Sequence, residues 1–159
     1  MGLATKLTSN KITLAQWQIS MREVVKTTHI QLYLVGKGGP ALMTKIDYGK
    51  LGASLKKEYK FLDAFARDVR DGKLSPAGIS LRCSMYGSAS LLADYELGRF
   101  YAQKDAGKKE KRRLTSGDSH VCETCRSEAA QGWVPIDKPG WILGQTACRM
   151  GDRCGFEYR

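Results

Sequence analysis

Four cysteines near the end of the chain fall in two short runs, Cys122-Glu-Thr-Cys125 and Cys148-Arg-Met-Gly-Asp-Arg-Cys154, with twenty-two residues between them. Two thiolates spaced by two residues can grip one metal from a tight turn. A second pair arriving from another turn completes the tetrahedron that Zn²⁺ prefers. The intervening Gly132, Pro135, Pro139, Gly140 and Gly144 supply the turns such a site needs. The reading is a structural zinc knuckle with Cys122, Cys125, Cys148 and Cys154 as ligands. The second pair is looser than usual, so His120 is a substitute ligand for a Cys3His set, with Asp118 as an outer partner. Four protein ligands leave no open coordination position, which makes the zinc structural rather than hydrolytic. Two disulfides, or free or redox thiols, remain open alternatives from the spacing alone.

The rest of the chain has to position that module. With 159 residues it is long enough for one domain, or one domain with a small appendage. Its formal net charge of +10 is concentrated in residues 1–60, which carry +7, and residues 101–119, which carry +3. Such an excess suits a polyanionic partner or an acidic protein surface, and equally a solvated face. No run of eighteen apolar residues exists, so no membrane span is expected. Residues 1–10 have no apolar core of a secretory signal, and with metal-like cysteine spacing this points to synthesis in a reducing cytoplasm.

Three helical patterns precede the cysteines. Leu14, Trp17, Met21, Val24, Val25, Thr28, Leu32 and Val35 step by three and four behind Thr13, and Gly36-Lys-Gly-Gly-Pro40 ends them. That glycine run lacks the spacing of a phosphate loop and reads as a terminator. His29 has no ligand-type neighbour and reads as an ordinary surface or core histidine. Thr44-Lys-Ile-Asp47 resembles a capping box and opens a stripe through Tyr48, Leu51, Leu55, Tyr59, Leu62, Ala66 and Val69, widened by Phe61 and Phe65 and closed by Asp71-Gly72. Lys56, Lys57 and Lys60 fall on its outer side. Ser75-Pro76 starts a third helix whose apolar repeat runs from Ile79 through Cys83, Tyr86, Ser90, Ala93 and Leu97 to Phe100. Small residues at Gly87, Ser88, Ala89 and Ser90 permit close approach, and Cys83 reads as a small core residue.

Residues 107–113 then form a basic linker in which Lys108, Lys109, Lys111, Arg112 and Arg113 could contact phosphates or an acidic partner. Beyond it, turns and short strands are expected at Trp133-Val-Pro-Ile136 and Trp141-Ile-Leu143, with Phe156 and Tyr158 covering the metal. The predicted fold is mainly α: an antiparallel bundle of three long helices with its basic linker over residues 1–113, and a small Cys-rich zinc module of turns and short β over residues 114–159.

Catalytic signatures are scarce. There are two histidines, no G-x-S-x-G, no H-E-x-x-H and no carboxylate pair in an apolar setting, so no enzyme is expected. Another set of residues carries a resemblance. Asp118-x-His120-x-Cys122-x-x-Cys125, the Ala129-Ala130-x-Gly132 turn, Val134-Pro135-Ile136, Thr146-x-Cys148 and Arg153-Cys154 together resemble the carboxyl-terminal module of head-morphogenesis, or minor head, proteins of tailed bacteriophages. Asp47-Tyr48-Gly49 and Met85-Tyr86-Gly87 are similar to the helical part that precedes it. The resemblance implies a virion structural protein made in the host cytoplasm. It would belong to a multi-subunit assembly at the inner face of the head or near the portal, contacting capsid or portal and connector subunits, with packaged DNA as a further contact. The alternative from the residues themselves is a sequence-tolerant nucleic-acid-binding zinc protein. An enzyme whose zinc keeps an exchangeable water is the weakest of the three.

Overall fold

The computed structural model describes residues 2–86, 89–141 and 154–159, with the side chains of 89–91 left out. Among these the chain is mainly helical, with a small three-stranded antiparallel sheet. The helices are α1 (Leu3–Thr8), α2 (Leu14–Lys37), α3 (Lys45–Arg70), α4 (Pro76–Met85), α5 (Ala89–Asp105) and α6 (Glu123–Ala130). The strands are β1 (Glu110–Leu114), β2 (Val134–Pro135) and β3 (Gly155–Tyr158).

Local chemistry sets the boundaries of the two longest helices. Thr13 and Gln16 exchange side-chain and backbone hydrogen bonds at the start of α2, and Thr44 and Asp47 do the same at the start of α3. Each box satisfies two amide groups that the first helical turn leaves without partners. At the other end of α2, Gly38 takes up a left-handed φ of 94°, a conformation that costs glycine nothing. Ser75 caps α4 with Pro76 at its first position.

The main apolar core joins Trp17, Met21 and Val25 of α2 to Leu62, Phe65 and Ala66 of α3, with Ile79 of α4 and the following Tyr86. Trp17 meets Phe65 edge-on at 5.1 Å, and Phe65 stacks on Tyr86 at 6.1 Å. Rings in these arrangements add to what their buried area contributes. Two features differ from the pattern expected of the sequence. The buried stripe of α2 continues through His29, Tyr33 and Lys37, while Val24 and Val35 face outward. The third predicted helix is two helices, α4 and α5, so no unbroken heptad runs from Ile79 to Phe100. Residues 1–10, for which no helix was expected, include the short helix α1, whose Leu3 and Leu7 rest on the core.

The polar part of the α2 stripe is internally matched. His29 Nδ1 pairs with Asp94 of α5, whose other oxygen accepts from Ser54 of α3 at 3.0 Å. Lys37 Nζ lies 3.2 Å from Asp47 and 2.5 Å from Asp105, and the Tyr33 hydroxyl donates to Asp47 at 2.7 Å. Burial is tolerable for such groups because each charge meets an opposite charge or a hydrogen bond. Helices α2 and α5 pass at backbone contact. A methyl group added at Gly98 would overlap the Tyr33 carbonyl oxygen, and one added at Gly36 would overlap that of Tyr95.

Among the described residues, no helix is long and apolar enough to cross a membrane.

Candidate metal centre and the sheet that carries it

Residues 110–113 of the run expected to be a basic linker instead lie in the central strand of the sheet. β1 lies between β2 and β3, with Lys111 opposite Val134 on one side and Arg113 opposite Phe156 on the other. The division at residue 113 is therefore displaced: 110–113 belong with the Cys-rich part. A strand turns alternate side chains to opposite faces. In Glu110-Lys-Arg-Arg-Leu114 that alternation buries Lys111 and Arg113, each 2% exposed, and leaves Arg112 at the surface side. These two cations cannot meet a phosphate on a passing polyanion. Lys108 and Lys109 remain exposed in the turn that enters the strand. Arg112 donates to Glu157 at 2.5 Å and lies over the Trp133 ring.

Arg113 reaches under the sheet to the cysteines. Its Nη2 donates to Cys125 Sγ at 3.1 Å, its Nε stands 3.7 Å from Glu128, and its guanidinium covers the Phe156 ring at 4.8 Å. Cys125 lies in the first turn of α6, where turns and short β were expected. Cys122 caps that helix, its sulfur accepting from the Cys125 amide at 3.4 Å. Cys154 comes in just before β3 and packs with Cys125, Cys122 and Val121 in a small cluster, and both other sulfurs lie within hydrogen-bonding reach of Cys125. Burial pushes the Cys125 thiol up to about 12. The Arg113 contact pulls the other way, and the neighbouring sulfurs of Cys122 and Cys154 add to the rise.

Three of the four expected sulfurs are thus brought together, and Cys148 lies outside the described residues. His120 is exposed in the turn before α6, its amide held by Asp118 Oδ1 at 2.9 Å. Among the described residues no three His, Cys, Asp or Glu side chains form a group that could hold a metal by themselves. Sulfur donors suit a soft cation, and the Cys125 amide on Cys122 and the Arg113 guanidinium on Cys125 are donors a thiolate could use; burial keeps the Cys125 proton on, so a bound cation would have to displace it. Phe156 and Tyr158 pack on Trp141 in a separate small cluster beside the sulfurs.

Arg113, expected to contact phosphates, is instead a partner of Cys125, and Glu128 backs it; the cysteine spacing gives no sign of either role. The signal was present in the period of two along Lys109-Glu-Lys-Arg-Arg-Leu, masked because every other member of the run is also charged. No family model, curated protein or solved structure matches the chain.

Proposed function

We propose that this chain is a non-enzymatic structural and assembly protein of a tailed-phage particle, a minor head or connector-associated subunit. Its carboxyl-terminal module closes on one structural zinc. The body is an antiparallel bundle built on α2, α3 and α5. Capsid or portal subunits bind it, and it works in the virion after synthesis in the host cytoplasm.

The convergence of Cys122, Cys125 and Cys154 from two sequence-distant segments, with Arg113 donating to Cys125, carries this reading. The module has few apolar residues of its own: Val134, Trp141 and Phe156 form one cluster and Val121 with the sulfurs another. So small a core holds its shape when an internal staple supplements it. Cys122, Cys125, Cys154 and, from outside the described residues, Cys148 would hold the ion, with Arg113 as the hydrogen-bond donor behind them. A closed thiolate set supplies folding energy and no reactive water. Cys122, Cys125, Cys148 and Cys154 are also among the residues that resemble the minor head module, and that resemblance supports the virion reading.

The test is made on gradient-purified particles and on the freshly purified chain. The reading expects the chain in particles at a fixed stoichiometry and one zinc per chain, lost in Cys125→Ser together with protection of the other thiols. Absence from particles overturns the virion assignment. A metal-free chain with fully titratable thiols overturns the staple.

A further inference from the structure

Between α5 and the sheet lies a cleft of about 250 Å³ that no cysteine lines, although its Phe156 also packs under the Arg113 guanidinium that bonds Cys125. Phe100, Tyr101, Trp141, Phe156 and Tyr158 supply its aromatic lining, and Lys50, Lys104, Lys111 and Lys138 reach it. Two carboxylates also line it, but each is engaged: Asp137 with Lys104 at 2.6 Å, and Glu96 with Arg99 at 3.0 Å.

The other three ammonium groups meet neutral acceptors. Lys50 contacts the Tyr101 hydroxyl and stands 3.9 Å from the centre of its ring. Lys138 donates to Gln131 at 2.5 Å and lies 5.0 Å over Trp141. Lys111, almost wholly buried, donates to the Trp141 carbonyl at 2.9 Å and sits between the Phe100 and Phe156 rings at 5.2 and 5.4 Å. An ammonium has three N–H donors, so with one carbonyl as its hydrogen-bond acceptor among the described residues Lys111 keeps donor capacity in a cavity large enough for a guest. Burial pulls Lys111 down to about 8, against the opposing pull of Asp137 and Glu128. A charged group placed in so costly an environment is stabilised by an anion brought to it.

We propose that the cleft binds a small organic anion, a planar ring system bearing one carboxylate or phosphate, with the ring against Phe100, Trp141 and Phe156 and the anion on Lys111. Lys50 and Lys138 add positive potential at the rim. The cleft volume exceeds the roughly 150 Å³ that admits a benzene-sized guest, so a fused bicyclic ring is a fitting probe.

The experiment titrates the full chain, in the metal state in which it is isolated, with 2-naphthoate, its neutral isostere 2-naphthamide, and acetate, by calorimetry. Saturable one-to-one binding of naphthoate, at least tenfold tighter than either control, is expected. Lys111→Met should weaken it tenfold or more and Lys138→Met by a smaller factor, both with unchanged far-ultraviolet circular dichroism. Equal affinity for naphthoate and naphthamide would overturn the anion assignment. Wild-type affinity in folded Lys111→Met, or no saturable binding of naphthoate, would overturn the site.

Discussion

The Arg113 guanidinium donates to the Cys125 sulfur at 3.1 Å with both side chains out of contact with solvent. A strand residue thereby fixes the position of a helix residue twelve positions later, across the bottom of the sheet. If the sulfurs hold zinc, this hydrogen bond stabilises a thiolate ligand from behind. Loss of such an outer contact typically lowers metal affinity by about 10- to 100-fold. Arg113→Met is expected to show a drop of that size in a chelator competition, and Arg113→Lys an intermediate one, because lysine keeps the charge but not the planar fork. Unchanged affinity in Arg113→Met would leave the contact as packing only.

Asp47 is the buried hub of a second network. Its burial alone would raise its pKa, but hydrogen bonds from Thr44, Tyr33 and Lys37 outweigh that and hold it down to about 2. A carboxyl group lowered on folding contributes stability that is present above its unfolded value and lost as pH falls towards the folded one. The wild-type chain should therefore lose about 2 kcal/mol from this group between pH 4 and 2. Asp47→Asn should remove that contribution and cost about 3 kcal/mol at neutral pH, since Lys37 keeps only Asp105 as an anionic partner. Urea unfolding of both proteins at pH 2.5, 4 and 7 measures it, and parallel pH profiles would refute the assignment.

Two helical glycines are expected to respond with opposite signs. Gly98 faces the α2 backbone at Tyr33, where no flexible side chain can yield, so Gly98→Ala must push two helices apart. A cost of about 3 kcal/mol is expected. Gly52 of α3 is exposed with nothing near it, and Gly52→Ala should stabilise by about 0.5 to 1 kcal/mol through helix propensity. Chemical denaturation midpoints distinguish them. A neutral Gly98→Ala would mean that the helices are not held at backbone contact.

Helix starts were legible because capping is a local code: Thr13, Thr44 and Ser75 each bond an amide three residues on. That Cys122, Cys125 and Cys154 come together was legible in outline from their spacing. What escaped were the places where a polar residue does an apolar residue's geometric job. His29, Tyr33 and Lys37 continue the i, i+4 series from Trp17, Met21 and Val25, yet a hydrophobicity pattern skips them and turns to the exposed Val24 and Val35. The partners that make their burial tolerable, Asp94, Asp47 and Asp105, come from other helices and have no local signature. β1 escaped for the same reason. Six of the seven residues from Lys108 to Leu114 are charged and read as a solvated run, and only pairing with β2 and β3 reveals which of them point inward.

Lys111 gives the remaining test, and its sign is opposite to that of Asp47. Burial lowers it from the usual 10.5 to about 8, with Arg113 pushing the same way and Asp137 and Glu128 resisting. Below pH 8 both folded and unfolded chains carry the proton, and folding bears the full cost of enclosing the charge. Between 8 and 10.5 the unfolded chain binds more protons, so stability rises with pH, by up to about 3 kcal/mol in all. Lys111→Met retains the stem and removes the ammonium. It should be more stable than wild type at pH 7, by about 1 to 3 kcal/mol, with the advantage shrinking to nothing by pH 10.5. Taking the difference between the two proteins at each pH cancels the titration of the cysteines and tyrosines they share. A difference that does not vary from pH 7 to 10.5 would show that the Lys111 ammonium is no costlier inside the protein than in water.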